Sequence, residues 1–240
     1  MPQIAVINEA TAISDAEIRD MLPDFAQQWN RDLRPAWGVD AVEFAFHSNG
    51  DQPPPAGSWW LVFLDDSDQA EALAYHDLTN EGLPISKVFV KTLQADNASI
   101  SVGATHELCE MAVDPWLNSA YQDPHGTFWA GEICDPVESD HYAYTVGKTL
   151  VTDFVTPNWF AHQHAQGAID VQGHARAPFE VLSGGYAQKY VIHRGWVQVT
   201  GRRAMRSMHA TRPSEGTRRE RRSREMGEWR RSEVRFGRNR

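Results

Sequence analysis

Residues 101–113 form an apolar stretch broken by one polar stripe, and this combination restricts the fold more than any other feature of the chain. Ser101, Val102, Ala104, Leu108, Met111, Ala112 and Val113 suit a helix buried over most of its circumference. His106 and Glu110 stand four residues apart, so in a helix they point the same way, with Glu107 beside them. Asp114-Pro115 then ends the helix, because a residue that precedes proline is driven out of the helical region. A buried helix that carries an imidazole and two carboxylates needs partners for them. The spacing suits a cation: two ligands at i and i+4, and a carboxylate between them to act as base, as in the motif His-Glu-x-x-His. Here Glu110 takes the place of the second histidine, a harder donor but an acceptable one for zinc. A solvated polar stripe is the plain alternative, and the apolar surroundings argue against it.

The residues before this helix alternate between strand and helix signals. Gln3, Ile4, Ala5, Val6 and Ile7 read as a short strand. Ser14 and Glu17 form a capping box, and Ile18, Met21, Leu22, Phe25 and Trp29 follow at helical spacing, with Pro23 inside the pattern as a candidate kink. Val42, Phe44 and Phe46 alternate as in a half-buried strand, and a proline-rich loop covers residues 51–57. Residues 58–64 read as a fully buried strand. Residues 72–76 and 86–92 give two more, the latter with lysines that suit a sheet edge. The expected order is strand, long helix, four strands, then the His106 helix.

That order over about residues 3–115, together with His106 and Glu107, resembles the zincin metallopeptidases. The match departs at Glu110. The longer run from His106 through Asp114-Pro115, followed by Gly131-Glu132-Ile133-Cys134-Asp135, also resembles uncharacterised zincin-like proteins of bacteria and phages that pair a His-Glu-x-x-Glu helix with a downstream Glu-x-x-Asp. The resemblance implies an α+β, zincin-like fold. Residues 1–118 would form an upper subdomain, a twisted mixed sheet with a backing helix and the metal helix. Residues 119–200 would form a smaller, irregular or β lower subdomain. It further implies Zn2+ held by His106, Glu110 and Glu132, with Glu107 as catalytic base and Asp135 either supporting a ligand or taking the third position itself. Asp114 fits less well, since eight residues of straight helix from His106 span about 12 Å.

On this reading the chain is a zinc-dependent metallopeptidase-like hydrolase acting on a peptide or protein, with an oxyanion donor among His141, Tyr142, Tyr144, His162 and His164. A carboxylate ligand adds negative charge around the ion and weakens its Lewis acidity. The alternative is therefore a catalytically weak or inactive zincin-fold binding or structural protein, phage-related in one version.

The remaining features exclude more than they assign. There is no Gly-x-Ser-x-Gly elbow, no phosphate-binding glycine loop and no Cys-x-x-Cys pair. The pair His162-x-His164 is a weak chelation signal, and His125 reads as a turn residue. Cys109 and Cys134 read as packing residues, as expected in a reducing compartment. Residues 142–146 and 149–155 flank Gly147-Lys148 as a hairpin, and residues 179–186 read as a strand that enters a glycine turn. Residues 201–240 hold 14 basic and 5 acidic residues, a net of +9, whereas residues 1–200 hold 9 and 27, a net of −18. With few aliphatic residues, this arginine-rich arm reads as disordered. It is expected to solubilise the chain or fold back on the acidic body, with nucleic acid or another acidic partner as the alternative. No apolar run is long enough for a membrane span and the first residues do not resemble a signal peptide, so a cytoplasmic setting without a membrane partner is expected, with phage association as the alternative.

Overall fold

The computed structural model describes residues 3–48, 53–69, 72–161 and 167–201. The arginine-rich arm beyond Gly201 and the His162-x-His164 pair lie outside them.

The fold is α+β, with several sheets and few helices. Its main sheet has five strands: β1 (Gln3–Asn8), β2 (Glu43–His47), β3 (Trp59–Leu64), β4 (Ala74–Leu78) and β5 (Pro84–Phe89), in the order β2-β1-β3-β5-β4. The first four in that order run parallel, and β4 is antiparallel to β5. Parallel strands are covered on both faces and so tolerate continuous apolar sequence, which explains Ile4-Ala5-Val6-Ile7 and Trp59-Trp60-Leu61-Val62-Phe63. The pleat then sorts the side chains. Ile4, Val6, Leu61, Phe63 and Val88 join the large core, while Ala5, Ile7, Val62 and Ile85 form a smaller cluster of their own.

The helix α1 (Asp15–Gln28) starts at the expected capping box, in which Ser14 N–H donates to Glu17 Oε2 at 2.8 Å and Glu17 N–H donates to Ser14 Oγ at 3.3 Å. Pro23 lies in its interior and the helix runs on past it, through a π turn at Trp29–Leu33 and a short helix α2 (Arg34–Trp37). The short α3 (Val90–Ala95) then leads to α4 (Ile100–Val113), the helix of the polar stripe, which packs on β5, β4 and the later strand β9 (Thr149–Val151). Ser99 caps its start, and Asp114 leaves the helical region before Pro115.

Two sequence expectations are corrected here. The lysine-bearing strand is not at an edge. β5 lies between β3 and β4 and is buried throughout, Lys87 reaches Asp68 and the ring of Tyr75, and the chain turns helical at Val90. The edge beside α4 is β4. Residues 179–184 are not a strand either; the strand starts only at Tyr186, after a turn closed by Gly185 N–H donating to Leu182 O.

The rest of the chain packs against the same core. A second sheet has the order β11-β10-β7-β6, formed by β6 (Ala120–Gln122), β7 (Phe128–Ala130), β10 (Tyr186–Val191) and β11 (Gly195–Thr200). The expected hairpin is present, β8 (Tyr144–Val146) paired with β9, and it docks on α1: Asp24 Oδ2 accepts from Lys148 N–H and Thr149 Oγ. Gly147 makes that docking feasible, because its φ is +57° and a Cβ there would meet Asp24 Oδ1. Among the described residues, no helix is long and apolar enough to cross a membrane.

Candidate metal centre

Three segments bring imidazoles and carboxylates to one place. α4 supplies His106, Glu107 and Glu110 from adjacent turns of one face. β4 supplies His76, whose side chain enters between the sheet and α4. The segment after β7 supplies Glu132, and Asp135 opens the 3-10 turn Asp135–Val137. That segment is fixed from both sides. Val155 N–H donates to Ile133 O at 2.8 Å, Leu182 N–H donates to Pro136 O at 2.9 Å, and Cys134 N–H donates to Glu110 Oε1 at 3.2 Å. Ser86 Oγ donates to Glu107 O at 3.2 Å, which ties α4 to β5.

The separations are informative. His106 Nε2 lies 3.3 Å from Glu110 Oε1 and 3.3 Å from Asp135 Oδ1. His76 Nδ1 lies 3.6 Å from Glu110 Oε2, and its Nε2 lies 3.7 Å from Glu132 Oε2. Strong N–H···O hydrogen bonds are shorter, about 2.7–3.2 Å. Donors on a tetrahedral ion at about 2.0–2.2 Å stand roughly 3.3–3.6 Å from one another. The donor atoms thus sit at ligand spacing and resolve into two triads, His106 with Glu110 and Asp135, and His76 with Glu110 and Glu132. Glu107 differs: its Oε2 is 3.2 Å from His76 Nδ1, within hydrogen-bond range.

All six side chains are buried, with His106 at 6% exposure, Glu107 and Glu132 at 2%, and His76, Glu110 and Asp135 at 0%. Buried charge is costly unless balanced. Burial disfavours the His106 imidazolium, but Glu110, Asp135 and Glu107 outweigh that and hold its pKa well above the ordinary value. Even with both imidazoles protonated, two positive charges would face four carboxylates in this group. The donor chemistry, imidazole nitrogen with an excess of carboxylate oxygen, fits zinc or a harder divalent ion of the manganese or iron type.

The sequence-predicted residues are distributed as follows. His106 and Glu110 meet, and both candidates for the third position are present in different triads, Asp135 beside His106 and Glu132 beside His76. His76 is the residue that sequence reasoning missed, since no spacing pattern links it to His106; a lone histidine inside the strand Ala74–Leu78 was the available signal. Asp114 instead caps the end of α4, where its Oδ1 accepts from Asn118 and Ser119 N–H at 2.8 Å each. His125 is a turn residue, with its N–H donating to Asp123 Oδ1. Cys109 and Cys134 are buried free thiols, and Cys134 Sγ donates to His106 O. Burial, then Cys109, pushes the Cys134 thiol far up, so it is held protonated.

Of the oxyanion candidates, the Tyr144 hydroxyl donates to Asp32 Oδ2 at 2.7 Å, and burial followed by Asp32 raises its pKa. Tyr142 meets the His141 ring edge-on and the His174 ring at a tilt, at a separate group formed by Asp153, Asp170 and His174.

No family model, no curated protein and no solved structure matches the chain.

Proposed function

We propose that this chain is a metal-dependent hydrolase of the zincin-like kind, acting on peptide bonds, with its centre built around α4. The observation that carries this reading is the convergence of His106, Glu110, Glu132 and Asp135 at ligand spacing around one helix face that also presents Glu107. The mixed sheet with its single antiparallel edge strand beside α4 supports the zincin-like reading of the fold.

His106, Glu110 and Asp135 would hold a zinc ion, with Glu132 placed beside His76 on the other side of Glu110. When bound, such an ion supplies Lewis acidity toward a carbonyl and makes a water molecule more acidic. Glu107 accepts the proton of the attacking water and delivers it to the leaving amine. In the tautomer with its proton on Nδ1, His76 would donate to Glu107 Oε2 and fix the carboxylate that does this. Glu110 brings a negative charge where a second neutral imidazole would stand, which lowers the electrophilicity available and favours a slow reaction.

One observation favours a second reading, a structural metal centre in a binding protein. Structural zinc sites are closed, whereas catalytic ones keep a position open to water and substrate, and the residues here are at most 6% exposed. Glu107→Gln separates the two. Metal-loaded wild type and variant are assayed on a mixed fluorogenic peptide library, with elemental analysis in parallel. The hydrolase reading expects cleavage by the wild type, a loss of at least about 100-fold in the variant, and equal metal content. Metal-loaded wild type without cleavage, or a variant as active as wild type, leaves the structural reading.

A further inference from the structure

We infer that the centre holds two divalent cations bridged by Glu110, and this rests on the metal-centre reading above. Glu110 stands between the two triads. Its two oxygens face different imidazoles: Oε1 lies 3.3 Å from His106 Nε2, and Oε2 lies 3.6 Å from His76 Nδ1. A carboxylate that served one ion beside His106 would have no need of a second histidine at its other oxygen. A carboxylate that bridges two ions would, and paired sites with ions about 3.5–4 Å apart are a recurrent device for hydrolysis.

The other donors divide the same way. Asp135 belongs with His106, and Glu132 belongs with His76, so each side of Glu110 has one imidazole and one further carboxylate. This symmetry also explains why the sequence offered two third ligands and no means of choosing. Both are used, one for each ion. His76 joins Glu110 and Glu132 through one ring nitrogen, and Glu107 Oε2 stands 3.2 Å from Nδ1 of the same ring. A carboxylate that orients a ligating histidine in this way is a common partner of metal sites.

Charge decides between one ion and two. With the imidazoles neutral, as ligation requires, Glu107, Glu110, Glu132 and Asp135 carry four negative charges in a buried volume. One divalent ion leaves this group of side chains at −2, or at −1 with the unligated His76 protonated, and two bring it to zero. Uncompensated charge at such depth is strongly disfavoured.

The test uses the full-length chain, stripped with EDTA, loaded with Zn2+ alone and cleared of unbound ion before elemental analysis. A parallel sample loaded with Mn2+ is examined by electron paramagnetic resonance. The expected result is two Zn2+ per wild-type chain, one in His76→Asn and one in His106→Asn, with an exchange-coupled Mn2+ spectrum in the wild type and an uncoupled one in His76→Asn. One ion per wild-type chain with an uncoupled spectrum overturns the pair and leaves the single-ion hydrolase standing. No bound ion overturns both. Two ions retained in His76→Asn put the second ion elsewhere and also overturn the pair. Should His76→Asn fail to fold by circular dichroism, Glu132→Gln replaces it, and the wild-type Mn2+ spectrum decides without any variant.

Discussion

Among the described residues, two groups of histidine and carboxylate side chains occur, and they are built on different plans. Around α4, two imidazoles and four carboxylates approach one another side chain to side chain, from a strand, a helix and a tethered loop. In the 153–174 loops, His174 Nδ1 lies 3.4 Å from Asp153 Oδ2 and 3.6 Å from Asp170 Oδ2, which looks like the same chemistry in miniature. The main chain makes the difference. Asp153 Oδ1 accepts from Phe154 N–H at 2.8 Å and from Gln172 N–H at 3.3 Å, while Asp170 accepts from His174 N–H at 2.9 Å and Ala175 N–H at 3.3 Å. These carboxylates organise the loops around themselves, as aspartates do in turns. Proximity of acidic groups to a histidine is therefore not enough to mark a centre for an ion. The group around α4 adds ligand spacing, two imidazoles and complete burial.

The largest effect that separates the two groups is the response to chelation. An ion held around α4 stabilises the fold by mass action, by about 3–4 kcal/mol when it is present at several hundred times its dissociation constant. For a chain of this size that corresponds to a shift in Tm on the order of 10 °C. EDTA should thus lower the Tm of zinc-loaded wild type by roughly that amount, and should lower the Tm of Asp153→Asn equally, as read by scanning fluorimetry. If zinc-loaded protein melts at the same temperature with and without EDTA, the α4 group is satisfied without an ion and the comparison fails.

Of similar size is the pH dependence of the loop pair. Burial, then the neighbouring Asp170, pushes the Asp153 carboxyl up to about 8. Its folded value lies above the ordinary value of 3.8, so the folded state holds a proton that the unfolded chain has released. The stability this contributes is complete below about pH 4 and is lost as pH rises through about 8. Denaturation of metal-free protein at pH 5 and pH 8.5, for wild type and Asp153→Asn, measures it. The wild type should lose on the order of 4 kcal/mol relative to the variant across that interval. An unchanged difference between the two proteins would mean that Asp153 and Asp170 do not share a proton.

The sequence disclosed these two groups unequally. The α4 group was half visible, because His106, Glu107 and Glu110 lie on one helix and a 3.6-residue period makes their meeting a local matter. Glu132 and Asp135 were legible as a linked motif, but their assignment depends on which side of Glu110 each one faces, and that is set by the docking of residues 131–137 against residues 155 and 182. His76 was hidden, since strand pairing with β5 brings it to α4 and nothing in residues 74–78 announces a distant partner. The same kind of non-local pairing misled the reading of β5: its lysine suggests solvent, yet Lys87 is buried because Asp68 and the Tyr75 ring cover it. By contrast, the capping box of α1 and the Gly147 hairpin are decided within a few residues, and both formed as expected. The loop group gave no signal at all, because Asp153 and Asp170 are joined through a single bridge between Val155 and Asp170 and through N–H donors that any sequence would offer.

The smallest predicted effect is also the sharpest control. His174 has a side chain 39% exposed, so its approach to Asp153 and Asp170 is weakened by water. His174→Ala should change stability by less than about 1 kcal/mol and leave the Zn2+ content of the chain as in wild type. His76→Asn removes an imidazole that likewise lies among carboxylates, here Glu107, Glu110 and Glu132, yet it should halve that content, since His76 is one of two nitrogen donors in a buried group and its loss leaves Glu132 facing Glu110 without a neutral ligand between them. Elemental analysis of the two variants side by side reads the contrast directly. Equal metal loss in both would mean that the loop group also binds an ion, and that main-chain donors to a carboxylate do not distinguish a structural cluster from a metal centre.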